Sequence, residues 1–257
     1  MIHNGNLYTN LSAYYDLFCA DVEYAGQCAF TSRVFECFAQ TDGRQYLDLA
    51  CGTGAHIQIM QTLGFTATGL DNSAEMLAQA SQRCPDAAFI LSDMSAFETH
   101  NRYDLISCFL YSIHYSHPVS ALRQTLKRVY DALQPGGVFV FNAVDIKGIT
   151  SRHFVTSRAV AESSLLTFVS GWSYQGEGDT MDLHLSITRE PMQASGITVE
   201  KEIWQDQHSM TAFQFSHLSA WLSAVGFEST FLEHDYDCLQ PWAGSSFNVV
   251  VVACKPR

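Results

Sequence analysis

The sequence predicts an α/β protein: a doubly wound, mainly parallel sheet interrupted by an inserted antiparallel β meander. Three observations carry this. Short apolar runs alternate with helical periodicity between residues 45 and 145, a glycine-rich turn sits at Cys51-Gly52-Thr53-Gly54, and Met181, Leu183, Leu185 and Ile187 alternate in period two.

The elements follow in order. Thr31 to Gln40 reads as a short helix with Val34, Phe35 and Phe38 on one face, after an aromatic-rich start. Tyr46 to Ala50 is an apolar strand, and Ala55 to Leu63 a helix stopped by Gly64. Phe65 to Leu70 is a second strand, and Asn72 and Ser73 cap a helix running to about Arg83. Ala88 to Leu91 and Tyr103 to Leu110 are the third and fourth strands. Ser116 to Leu133 is amphipathic, stopped by Pro135-Gly136-Gly137, and Val138 to Val144 is the fifth strand. Leu165 to Tyr174, Thr180 to Glu190 and Ile197 to Gln207 are consecutive strands with turn residues between them and no helix. Ser216 to Val225 is a helix ended by Gly226, and Phe227 to Asp237 and Phe247 to Lys255 close the sheet. The expected organisation is one domain: a helical cap at 1–44, a core at 45–145, the inserted sheet at 150–210, and a final helix with two core strands at 211–257.

The 257 residues are 47% hydrophobic, enough for a sizeable core. No apolar run reaches membrane-spanning length, and residues 1–10 lack the marks of a signal peptide, so a soluble cytoplasmic protein is expected. A formal net charge of −12 without a strong basic cluster argues against a nucleic-acid partner. The eight cysteines include no C-x-x-C pair, no metal site is expected, and buried reduced thiols are the preferred reading.

The chemistry concentrates in Asp48-x-x-x-Gly52-x-Gly54, which ends a strand and opens a helix. Side-chain-free positions let backbone lie close to a ligand. Ile57 stands where a dinucleotide fingerprint would place its third glycine. Asp71 closes the second strand, where a carboxylate can accept both hydroxyls of a ribose, and Ser92-Asp93-Met94 follows the third.

In order and spacing, residues 45–145 resemble the class I S-adenosylmethionine (SAM)-dependent methyltransferases, whose sheet is Rossmann-like. The resemblance implies SAM as cofactor, with Gly52 and Gly54 along its methionine part, Asp71 on the ribose and Asp93 on the adenine. Tyr15, Ala50, Asn72, Met76, Met94 and Phe109 complete the expected cofactor contacts. Tyr15-Asp16-Leu17-Phe18, the segment Phe109 to Tyr115, the meander, and His208-Ser209-Met210 with Phe213 resemble small-molecule N-methyltransferases. The aminodeoxy-sugar N,N-dimethyltransferases are the nearest group, with glycine N-methyltransferase more remote. This implies a small-molecule acceptor, amine nitrogen favoured, with the meander as a pocket wall or a homodimer contact. Alternatives are an O-methyltransferase, an RNA or protein methyltransferase, and a non-catalytic SAM binder.

An amine arrives as ammonium and must lose a proton. Tyr15 and His114 are the expected catalytic residues, to orient or deprotonate it; the plainer reading of His114 is a hydrogen-bonded wall beside Tyr111 and Tyr115. His184 and His208 read as packing or surface histidines. Trp172, Tyr174, Trp204 and Trp242 read first as core, and second as an aromatic wall attracting a cation.

Overall fold

In a computed structural model, which describes residues 2–4, 7–9, 11–100, 102–149, 154–192 and 201–257, the predicted core elements assemble into one seven-stranded sheet. Its strands are β2 (Gln45–Leu49), β3 (Thr66–Asp71), β4 (Ala88–Leu91), β5 (Tyr103–Cys108), β6 (Leu133–Val144), β11 (Glu228–Glu233) and β12 (Asn248–Cys254). The spatial order is β11-β12-β6-β5-β2-β3-β4. The five strands from β6 to β4 run parallel, while β12 pairs antiparallel with β6 and with β11. Chain order reverses around β2, so a crevice opens above the carboxyl ends of β2, β3 and β5.

Period two sends alternate residues to opposite faces. Leu47, Leu49, Phe139, Phe141, Val249 and Val251 pack against helices α5 (Val119–Ala132) and α6 (Phe215–Val225) through Leu122, Leu126, Val129, Leu218 and Leu222. Tyr46, Ala67, Leu105, Val138 and Val140 face α2 (Tyr24–Phe38), α3 (Ala55–Thr62) and α4 (Ala74–Arg83) through Phe30, Val34, Ile57, Met60 and Leu77. These side chains are almost all below a tenth exposed, so each helix is fixed by its apolar stripe.

The inserted sheet has the order β1-β10-β9-β8-β7, made of β1 (Ile2–Asn4), β7 (Phe154–Ala161), β8 (Ser164–Tyr174), β9 (Thr180–Pro191) and β10 (Glu202–Thr211). Strands β7 to β10 pair antiparallel, and β1 joins β10 in parallel. One face packs Leu166, Phe168, Leu185 and Ile187 onto Leu7 and Leu11 of the N-terminal segment, which also carries the short helix α1 (Tyr15–Phe18).

Several boundaries differ from the sequence reading. Helix α2 begins at Tyr24 rather than Thr31, because Gln27, Cys28, Phe30 and Thr31 are buried, Gln27 and Cys28 against His56 of α3, and this packing overrides the weak helix preference of Gly26. Strand β6 begins at Leu133: Leu133 pairs with Tyr103 before a register shift absorbs Pro135-Gly136-Gly137. Strand β7 was not expected; it is an edge strand whose exposed Phe154, Val155 and Val160 give no clean buried face. The expected strand at 197–207 lies partly outside the described residues, and β10 extends beyond it to Thr211. That extension carries His208 on the sheet.

Candidate active site

A cavity of about 680 Å³ lies over the carboxyl ends of β2, β3 and β4, closed above by the N-terminal segment and the inserted sheet. Its volume falls within the range of small-molecule sites, roughly 300–1,000 Å³. Of the residues expected to contact the cofactor, Tyr15, Ala50, Gly52, Asp71, Asn72, Asp93 and Met94 are brought together on its wall.

The backbone at the strand ends is bent to make this cradle. Gly52 has φ +53°, and a Cβ there would lie 3.4 Å from the Tyr15 ring. Ala50, Leu110 and Tyr111 hold φ of 55°, 54° and 59°, an unusual conformation for residues with side chains. The Tyr111 turn is held by its amide, which donates to Oδ1 of Asn142 at 2.9 Å.

Asp71 accepts the Gly52 amide on Oδ2 at 2.8 Å and the Ser73 amide on Oδ1 at 2.9 Å. Burial raises its pKa, and the backbone donors oppose that shift. Each oxygen keeps a second acceptor site toward the cavity, which suits a vicinal diol. Asp93 sits exposed on the rim, with Oδ1 accepting both the amide and the hydroxyl of Ser95 at 2.7 and 2.6 Å.

Beside the glycine turn, a recess is lined by Tyr15, Asp48, Ala50, His56 and Phe109. Oδ1 of Asp48 accepts the Ser107 hydroxyl at 2.7 Å, whereas Oδ2 is buried without a hydrogen-bond partner. Burial pushes this carboxyl up to about 7. His56 bonds Gln27 Oε1 through Nε2 at 2.7 Å, so Nε2 donates and Nδ1 carries a lone pair, 3.9 Å from Oδ2 of Asp48. Burial lowers the His56 pKa to about 4, keeping it neutral. Two acceptors thus face each other and want a common donor, and the ammonium of a SAM methionine part has that chemistry. The orphaned oxygen, the bare Gly52 backbone and the Asp71 acceptors together fit SAM. Neither Asp48 nor His56 was among the expected contacts; Asp48 opens the glycine motif, but its unpaired oxygen is visible only in three dimensions.

Tyr15 is held over Gly52 by a latch. Asp16 accepts the Thr53 hydroxyl at 2.6 Å and pairs with the Arg83 guanidinium, which also donates to the Thr53 carbonyl at 2.9 Å. Burial keeps the Tyr15 hydroxyl well above its ordinary pKa, so it serves as a donor and not as a base.

Other expected contacts lie off the cavity wall. Gly54, at φ +82°, lets α3 approach α4, where a Cβ would come within 3.2 Å of Ala80. Met76 is buried in α4, its amide capped by Ser73 at 3.2 Å, and Phe109 stacks on His56 at 5.3 Å.

His114 does not reach the cavity, and its expected catalytic role does not fit this geometry. It is fully buried; Nδ1–H donates to the Thr211 carbonyl at 2.8 Å and Nε2 accepts the Val144 amide at 3.2 Å. Its ring stacks on Phe213 at 4.4 Å, and burial lowers its pKa to about 4. Among the described residues the histidine on the wall is His208. Its Nε2–H donates to Oδ2 of Asp206 at 2.9 Å, two residues away on the same face of β10, which leaves the lone pair on Nδ1. Tyr8 and Tyr115 share a 2.7 Å hydroxyl hydrogen bond and pack on the His208 ring at 5.3 and 5.6 Å. Of the four candidate wall aromatics, Trp172 alone lines the cavity among described residues. Trp204 packs on Tyr14 at 6.3 Å and Trp242 on Phe215 at 5.3 Å, while the Tyr174 hydroxyl donates to the Gly178 carbonyl at 2.9 Å.

A Rossmann-like sheet with a glycine turn and a strand-end acid beside a cavity over its carboxyl ends is the arrangement of a nucleoside-cofactor site. Comparison with known proteins makes this specific. A methyltransferase-domain family model matches residues 47–137. A dTDP-3-amino-3,6-dideoxy-alpha-D-glucopyranose N,N-dimethyltransferase from Streptomyces fradiae is 29% identical over 187 residues, covering 72% of this chain and 71% of the relative. A glycine/sarcosine N-methyltransferase from Halorhodospira halochloris is 32% identical over 119 residues, 44% of each chain. The solved sugar N-methyltransferase KedS8 from Streptoalloteichus sp. shares the fold, with TM-score 0.81 at 20% identity, covering 100% of this chain and 97% of that one. Residues 47–137 carry a methyltransferase domain, and the chain is a SAM-dependent methyltransferase enzyme.

Proposed function

We propose that this enzyme N-methylates a small-molecule amine of the aminodeoxy-sugar kind. The observation that carries the reading is His208: a histidine oriented by a carboxylate, with Nδ1 left as acceptor, on the wall of the cavity that contains the glycine turn. The names of the compared N-methyltransferases support it.

Bound SAM supplies a methyl group already activated on a sulfonium. The chain's own residues then align, dry and deprotonate. Asp71 would hold the ribose hydroxyls, and Asp48 with His56 the methionine ammonium. Tyr15, latched over Gly52, covers the donor and excludes water. Nδ1 of His208 takes the proton that the incoming ammonium must lose, and Asp206 stabilises the imidazolium that results. The Tyr8–Tyr115 pair orients the imidazole.

The reading treats residues 1–257 as one methyltransferase unit, with the inserted sheet as acceptor wall. Its exposed β7 edge, where Phe154, Val155 and Val160 are 51%, 69% and 61% exposed, suits pairing with a second copy. No helix among the described residues is long and apolar enough to cross a membrane. The acidic charge favours a small-molecule acceptor in the cytoplasm over nucleic acid.

Methyl-labelled SAM, offered with matched pairs of amino and hydroxyl compounds, tests the reading. Label in the amine is the expected result; label confined to the hydroxyl partner, or SAM uptake with no transfer, rejects it.

A further inference from the structure

The acceptor end of the cavity is walled by Tyr8, Tyr111, Tyr115, Trp172, His208 and Met210. Tyr111 meets Trp172 edge to face at 4.9 Å and 85°, and Tyr8 meets Tyr115 at 5.8 Å and 87°. Two crossed aromatic pairs therefore border the space where the nucleophile must sit. Among the described lining residues there is no Lys or Arg. Two basic side chains of flanking elements are committed elsewhere, Arg83 to Asp16 and Thr53 and Arg189 to Glu162 and Glu202, while Arg158 of β7 falls on the opposite parity from the lining residue Val155. The N-terminus of α4, a potential anion site, is capped by Ser73 and carries Glu75 in its first turn.

A phosphate or carboxylate drawn into such a wall would shed water and find no Lys or Arg among the described lining residues, an expensive arrangement. Proteins that grip those groups use Arg forks, Lys or free helix amides. An ammonium meets the opposite situation, because ring faces attract it. The chain's formal net charge of −12 acts in the same direction at long range, concentrating cations and repelling anions.

We propose that the methyl acceptor is an amine carrying neither phosphate nor carboxylate: an organic cation with an apolar or hydroxylated body, seated between the Tyr111–Trp172 and Tyr8–Tyr115 pairs. This rests on the amine reading above and narrows it. It also sets the chain apart from the compared relatives, whose names specify a dTDP-linked sugar, which bears a diphosphate, and glycine, which bears a carboxylate.

Calorimetry on the full chain decides the matter, with benzyltrimethylammonium and dTDP as probes, each with and without S-adenosylhomocysteine. The cation should bind saturably, with affinity falling roughly tenfold in Trp172→Ala and retained in Trp172→Phe, as a lost cation–π contact requires. dTDP should give no saturable heat at concentrations that saturate the cation. Saturable dTDP uptake overturns the proposal on the wild-type protein alone, whatever the variants do. A cation that fails to bind, or whose affinity ignores Trp172→Ala, also overturns it. Failure of the amine reading shows elsewhere, as methyl transfer to hydroxyls in the labelling assay, because these titrations need no turnover.

Discussion

The amide of Gly52 donates to Oδ2 of Asp71 at 2.8 Å, so the turn that leaves β2 is pinned by the acid that ends β3. One carboxylate thereby both shapes the bare backbone and presents acceptors to the cavity.

Replacing Asp71 by Ala should weaken SAM binding by roughly 1–3 kcal/mol, the cost of leaving buried polar groups without a partner. Calorimetry with S-adenosylhomocysteine measures it. Unchanged affinity would remove Asp71 from the cofactor site.

Asp48 makes a prediction with a pH signature. Its folded pKa of about 7 stands above the ordinary 3.8. The native state therefore binds more protons than the unfolded chain between those values, and stability falls as pH rises through that window. Asp48→Asn should melt higher than wild type, with a larger gain at pH 8 than at pH 5. The same variant should bind SAM more weakly, because a cation is stabilised by the ionised carboxylate. Wild-type affinity should fall as pH drops below about 7, and this slope should vanish in Asp48→Asn. A variant that gains no stability at pH 8, or that keeps the slope, would contradict the account.

Much of the core was legible because its signals are local. Period-two runs, the glycine turn and strand-end acids give β2 to β5 and the place of Asp71 from neighbours in sequence. What escaped depends on distant partners. The positive φ of Ala50, Leu110 and Tyr111 has no glycine to announce it. The orphaned Oδ2 of Asp48 is defined by what fails to reach it. In sequence His114 stands between Tyr111 and Tyr115 and His208 near no tyrosine, yet in the fold Thr211 and Val144 claim the first, while Asp206 orients the second. The first role is set by Val144 of β6 and Thr211 of β10 reaching His114 from far along the chain, and the second by the fold bringing His208 to the cavity wall.

His114→Ala should therefore cost stability and spare catalysis. It strips the Val144 amide of its acceptor and empties the space against Phe213, together worth roughly 1–3 kcal/mol or more. The folded pKa of about 4 lies below the ordinary 6.5, so the unfolded chain binds more protons between them. Stability is complete above about 6.5 and is lost as pH falls toward 4. His56 carries the same shift and Asp48 the opposite one, so the variant should show a smaller rise of stability with pH than wild type in urea melts between pH 5 and pH 7. A large drop in kcat per folded molecule would return His114 to the chemistry.

His208→Gln tests the proton path. Gln keeps a hydrogen-bonding group of similar reach but cannot accept a proton at neutral pH, so kcat should fall by roughly 10²–10⁴, the usual share of general base catalysis. SAM affinity should stay at the wild-type level, because His208 stands on the inserted sheet and the cofactor cradle on β2 and β3. Asp206→Asn separates orientation from basicity: it can no longer fix the imidazole by accepting Nε2–H as a carboxylate does, and it removes the charge that favours the imidazolium. Its kcat should fall less than that of His208→Gln, and the double variant should be little slower than the single His208 change, since the other contacts of Asp206, the Leu7 and Gln207 amides, can still be accepted by the Asn oxygen. Additive losses would mean that Asp206 acts by a route other than the His208 ring, and full activity in His208→Gln would leave deprotonation to solvent.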